Sequence, residues 1–155
     1  MEFTVPKIEE YEEVNKLAIQ VHNCHVGWRP DLFHECNDII TKEDLEEMIN
    51  KNSIFVAKED GKIVGYVSIV VKVREHKGFR YRKQLDIDSI CIDENYRNKG
   101  IGTALLNYVK EYAIQNDCTD ISLNVFPQNV DAIHVYEKMG MQVKSIGYSM
   151  QIKEV

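Results

Sequence analysis

From Asp93 to Thr103 the chain reads Asp-Glu-Asn-Tyr-Arg-Asn-Lys-Gly-Ile-Gly-Thr. Gly100 and Gly102 let the backbone come close to a ligand, because neither carries a Cβ. A strand reading precedes the segment and a helix reading follows it. The first N–H groups of that helix therefore point at whatever occupies the turn. Arg97 and Lys99 add positive charge beside them. N–H groups and cations converging on one place are what a pyrophosphate requires. Two other phosphate readings fail on detail. A Walker loop needs Gly-Lys-Ser/Thr, and here Lys99 comes before Gly100; a dinucleotide fingerprint needs a third glycine, and Leu105 stands there. Taken alone, the segment also fits a plain strand-to-helix turn.

Other side chains invite metal or nucleophile readings. His22 and His25 share a helix face at i, i+3, and His34 follows, but no carboxylate or cysteine completes a ligand set, so no metal is expected. Cys24, Cys36, Cys91 and Cys118 form no Cys-x-x-Cys pair and read as reduced thiols of a cytoplasmic protein. Cys91 lacks a neighbouring base that would make it a nucleophile.

A second segment completes the pattern. Asn129, Ala132 and the run Tyr136-Glu137-Lys138-Met139-Gly140-Met141 lie downstream of Ile90-Cys91-Ile92 and Arg97-x-x-Gly-x-Gly. Together they resemble the acetyl-CoA motifs of the GNAT superfamily of N-acetyltransferases, with Met141 where the family keeps Phe. The good match covers Leu85 to Met150. The resemblance implies acetyl-CoA as co-substrate, no metal, and an amine acceptor. It implies that the backbone of Ile90, Cys91 and Ile92 pairs with the pantetheine amides. Backbone N–H groups of Asn98, Lys99, Gly100, Ile101, Gly102 and Thr103, with Arg97, would hold the pyrophosphate, and Asn129 would bond the CoA arm. Tyr136 stands where many members keep the general acid for the leaving thiolate; its spacing from Ala132, Ile133 and Met139 fits core packing equally. An amine of pKa near ~10 must lose a proton before it attacks. Asp88, on the strand implied to flank the thioester, is the candidate base, with Asp86 in reserve. Solvated strand acids remain the alternative, and so does a water chain. The Ile92 N–H is the expected oxyanion donor. Trp28 and Phe33 fall where the family's first helices line the acceptor.

These residues need elements to position them. Phe3–Val5 reads as an edge strand. Ile8, Tyr11, Val14, Leu17, Ala18, Val21 and His22 have helical spacing over Ile8–His25. Pro30 ends that helix, and Trp28–Asn37 reads as loop. Thr41 with Asp44 caps a second helix carrying Leu45, Met48 and Ile49. Ser53–Lys58 and Ile63–Val73 flank an Asp60-Gly61 turn, a hairpin signature. His76–Arg82 is a basic loop, and Leu85–Ile92 the next strand. Gly102–Asn116 is an amphipathic helix, Asp120–Phe126 a strand, and Asn129–Met139 a helix stopped by Gly140. Met141–Ile152 is expected to close with one or two strands. The expectation is one α/β domain over residues 1–155: a mixed, mostly antiparallel sheet, splayed between strands 4 and 5 in the GNAT manner, with about four flanking helices.

Composition agrees. The 155 residues are 44% hydrophobic and 28% charged, an ordinary globular balance. A net charge of −6 argues against nucleic-acid binding and favours a small cationic amine as partner. No apolar run is long enough for a bilayer. A peptide or lysine acceptor, and a non-catalytic acyl-CoA-binding module, remain alternatives; a homodimer is allowed.

Overall fold

The computed structural model describes residues 1–155. Five strands form one sheet in the order β1 (Glu2–Thr4), β2 (Ile54–Glu59), β3 (Lys62–Arg74), β4 (Arg82–Ile92) and β5 (Asp120–Leu123). The first four are antiparallel neighbours, and β5 alone runs parallel to β4. That parallel step needs a crossover, which helix α3 (Ile101–Gln115) supplies.

Helices cover both faces. On one, α1 (Tyr11–Trp28) and α2 (Lys42–Asn50) bury Val14, Leu17, Ala18 and Leu45 against Ile54, Val56, Tyr66 and Cys91. On the other, α3 buries Leu105, Leu106, Val109 and Ala113 against Phe55, Val67, Leu85 and Ile87. Each fully buried Leu or Val contributes about 1.5–3 kcal/mol of transfer free energy. Helix α4 (Val130–Lys138) packs Val135 and Tyr136 on the same cluster. No helix is long and apolar enough to cross a membrane.

Local chemistry explains the boundaries. The Thr41 hydroxyl accepts from the Asp44 N–H, and the Asp44 carboxylate accepts from the Thr41 N–H. The Asp60-Gly61 turn takes φ of +49° and +78°, as a tight hairpin requires. Helix α1 runs to Trp28, past the His25 read from periodicity, and Arg29 ends it one residue before Pro30.

Two features depart from the expected layout. Strand β4 carries a bulge: Ser68 pairs with Ser89 and Ile69 with Ile87, so Asp88 has no cross-strand partner. The closing strands over Met141–Ile152 do not form; after the Met141 N–H bonds the Tyr136 carbonyl, the segment makes no backbone hydrogen bond. A strand needs backbone pairing along an adjacent edge, and beyond Met141 the segment pairs with none, although Lys144 bonds Ser122 of the terminal strand β5.

Candidate active site

Strand β5 leaves β4 after the pair Ile87–Leu123, while β4 continues to Ile92 beside β3. Past Ile87 the β5-facing edge of β4 is therefore open. The ladder alternation shows which groups line it. Asp93 donates to the Val64 carbonyl at 2.9 Å, which makes Gly65–Ile92 a non-hydrogen-bonded pair. The N–H and C=O of Ile92, and by alternation of Ile90, turn away from β3 into the opening. Those of Cys91 turn towards Tyr66, so only two of the three residues Ile90, Cys91 and Ile92 offer backbone groups there. Gly65 permits this close pairing, since a Cβ on it would meet Ile92 Cδ1 at 2.7 Å and the Cys91 carbonyl oxygen at 3.1 Å.

The chain then turns through a short 3-10 segment, Glu94–Tyr96, and enters α3. Asn98 (φ +61°) and Gly100 (φ +80°) curl the backbone into left-handed geometry. No acceptor within the chain meets the N–H of any residue from Asn98 to Thr103, and no side chain caps α3. A Cβ on Gly102 would touch only Ile92 Cγ1, at 3.6 Å, an ordinary contact. Nothing inside the protein demands glycine there, although alanine would favour the helix by up to ~1 kcal/mol. The free space and free donors suit an external anion. Arg97 donates from Nε to the Ile92 carbonyl at 3.1 Å, which holds its guanidinium beside the end of β4 and the start of the turn. The Lys99 ammonium lies 5.0 Å from the Tyr96 ring centre. Two bonds brace the cradle: Asp93 accepts from the Asn95 N–H at 2.9 Å, and Gln20 of α1 accepts from the Glu94 N–H at 3.1 Å.

Tyr136 packs with the cluster that includes Ile90, Ile92 and Leu123. Burial raises its pKa, so the phenol keeps its proton at neutral pH. Asn129 caps α4, accepting from the Ala132 N–H at 3.3 Å, and its amide nitrogen stays available. Cys91 is buried, which pushes its thiol up to about 11 against the partial offset of Arg97. A thiol in that state is a packing group, not a nucleophile.

The two strand acids diverge. Asp86 is bonded by Gln84 and paired with Lys72 at 3.3 Å. Burial alone would raise its pKa, but these partners outweigh burial and lower it. Asp88, on the bulge, is exposed and lines a cavity of about 520 Å³. Asp44, Glu47 and Ser68 line it too, and the Ser68 hydroxyl is buried without a hydrogen-bond partner. Its one cation, Lys51, is paired with Glu47 at 2.5 Å.

Trp28 and Phe33 do not line this cavity. They join His25 and Phe126 in an aromatic cluster, with His25 5.9, 5.3 and 5.5 Å from Trp28, Phe33 and Phe126. Phe126 follows β5, so the cluster links α1 to the far side of the open edge. Burial, then the neighbouring His22, lowers the His25 pKa. His22 bonds the His34 carbonyl at 2.7 Å. No three His, Cys, Asp or Glu side chains converge as metal ligands. Reading the sequence missed Phe126 and Asn15. Asn15 accepts from Ile39 and Ile40 at 3.1 and 2.9 Å and donates to the Asn37 carbonyl at 2.8 Å, pinning the α1–α2 loop.

A sheet opened between parallel strands, beside an uncapped helix start, defines a fold that receives an extended, anion-bearing ligand. The chain belongs to the acetyltransferase (GNAT) family, whose model matches residues 18–141. The L-amino acid N-acetyltransferase AaaT of Escherichia coli is 33% identical over 93 residues, 59% of this chain and 54% of that protein. The chain spans about half the length of the curated relatives it matches. Among solved structures, a mutant BH1408 protein of Bacillus halodurans superposes with a TM-score of 0.93 at 24% identity, covering 99% of this chain and 100% of that one. The aminoglycoside N-acetyltransferase AAC(6')-Iy in complex with CoA superposes with a TM-score of 0.72 at 14% identity, covering 98% and 99%. Both likenesses are of fold.

Proposed function

We propose that the chain, acting as one domain, transfers an acetyl group from acetyl-CoA to the primary amine of a small cationic molecule, directly and within a ternary complex. The observation that carries this is the open β4 edge running into a helix start whose N–H groups have no partner. Ile90 and Ile92 would pair with the pantetheine amides as a strand added to the sheet. The N–H groups from Asn98 to Thr103 would hold the pyrophosphate, with Arg97 and Lys99 adding charge and the Asn129 amide bonding the arm. Asp88 would accept the ammonium proton. The Ile92 N–H would steady the carbonyl oxygen as it gains charge. Tyr136 would give its proton to the departing sulfur.

The acidic cavity supports a cationic acceptor: Asp44, Glu47 and Asp88 line it against one paired lysine. The relative that acts on L-amino acids makes those the rival acceptors. The test measures CoA release with polyamines, aminoglycosides, L-amino acids and basic peptides. Small amines with a second positive charge should turn over best. A neutral or acidic amine in first place overturns the acceptor class. Preference for peptides favours a protein-modifying enzyme, and acetyl-CoA binding without any turnover favours a binding module.

A further inference from the structure

Strand β3 outruns its neighbour β2. Their last pair is Ile54–Ser68, and the Ile69 N–H then donates to the Ser53 carbonyl at 2.8 Å. From Val70 to Arg74, β3 is paired with β4 alone. The Ile69 N–H faces the β2 side, so alternation turns the N–H and C=O of Val71 and Val73 the same way. No strand lies beyond them, and no loop donates to them or accepts from them.

Side chains alternate along this free edge. Val71 and Val73 share one face, 40% and 58% exposed, and Lys72 and Arg74 share the other. The hairpin that follows is basic: Lys77, Arg80, Arg82 and Lys83 stand against the single acid Glu75, in a chain of net charge −6. Lys72 is paired with Asp86, and the Lys83 ammonium donates to the Asn116 carbonyl at 2.7 Å. Arg74, Lys77, Arg80 and Arg82 meet no carboxylate.

We propose that the edge Val70–Arg74 is a docking strand for an extended acidic segment of a partner protein. The partner adds as a further strand, its backbone bonding Val71 and Val73. Its acidic side chains meet Lys72, Arg74 and the hairpin cations, and its alternate apolar side chains cover Val71 and Val73. A second copy of this chain fits poorly, since pairing two β3 edges sets Lys72 and Arg74 of both copies on one face, like charge against like. A nucleic acid would answer the cations and leave the strand groups and valines unused. The proposal is independent of the acceptor and of the proposed catalytic roles.

The test titrates the full-length protein with an N-acetylated peptide of alternating Glu and Val, and with its Lys-Val counterpart and oligothymidylate. Calorimetry reads affinity, and hydrogen exchange reads the Val71 and Val73 amides. The Glu-Val peptide should bind, weaken as salt rises, and slow both amides. Val73→Pro removes an N–H that faces solvent in the free protein, so the fold tolerates it. It should weaken the peptide ~10-fold while CoA affinity and melting temperature hold. Arg74→Glu should weaken it too, and decides the matter if the proline variant melts early. No binding of the Glu-Val peptide overturns the proposal, as does binding untouched by both substitutions. Equal binding of the Lys-Val peptide, or tighter binding of oligothymidylate, overturns it as well. Slow exchange at Val71 and Val73 in the protein alone would mean that a second copy already covers the edge, and this also overturns it.

Discussion

At the scale of single residues, Tyr136 separates chemistry from packing. Its ring belongs to the core cluster, and burial keeps its phenol protonated. Tyr136→Phe retains the ring and removes only the donor. On the proposed role, kcat should fall ~10²-fold or more while acetyl-CoA affinity and melting temperature barely move. Steady-state rates and thermal melts on that variant check this; unchanged kcat would leave Tyr136 a core residue. The sequence made Tyr136 and the glycines visible because motif spacing is local. It could not separate Asp86 from Asp88, which sit two residues apart on one strand. Lys72, which engages Asp86, comes from the neighbouring strand. The partnership of Phe126 with His25 was equally hidden, because the two meet only through the fold.

At the scale of elements, the start of α3 is the part whose function can be isolated. Gly102→Ala should raise stability by up to ~1 kcal/mol, since it improves helix propensity and meets Ile92 at an ordinary distance. Gly102→Val should weaken CoA binding by more than ~1.4 kcal/mol, a tenfold loss. Calorimetric titration with CoA, alongside thermal melts, reads both; full CoA affinity in the Val variant would remove the cradle from the site. Most elements were legible because each carries its own period and stop signals: the Asp60-Gly61 hairpin, the Thr41 cap, the Gly140 terminator. The bulge at Asp88 was not, since one surplus residue changes no composition. The closing strands misled for another reason. The period-2 pattern is present, but pairing depends on an edge that the pattern does not contain.

At the scale of the whole molecule, acid should unfold the protein in two stages. His25 has a folded pKa below its ordinary 6.5, so the unfolded chain binds more protons as pH drops past that value. Its contribution is intact above 6.5 and lost as pH falls towards the folded pKa. Glu10 and Asp86 come next. Burial raises both, but Lys58 at 2.6 Å outweighs it for Glu10, and Gln84 and Lys72 outweigh it for Asp86, leaving each below its ordinary 4.5 or 3.8. Their contributions persist above those values and fade below them. Urea midpoints from pH 8 to 3 should be level, then dip below ~6.5, then fall further below ~4.5. His25→Phe should remove the first dip and leave the second. A first dip unchanged in that variant would assign it to another group.

The bulge in β4 also has a meaning for descent. Partner numbers in the β3–β4 ladder shift by one at Asp88. Strike out that single residue and the ladder becomes regular from end to end, with Leu85, Ile87, Ile90 and Ile92 still facing α3. Asp88 is thus the one position in β4 that the sheet does not require. A relative without the bulge would align to this chain with a one-residue gap at 88 and an otherwise unbroken strand. In the language of mutation, that codon is an insertion the fold could absorb without moving its core, and it carries a carboxylate into the cavity between α2 and the sheet.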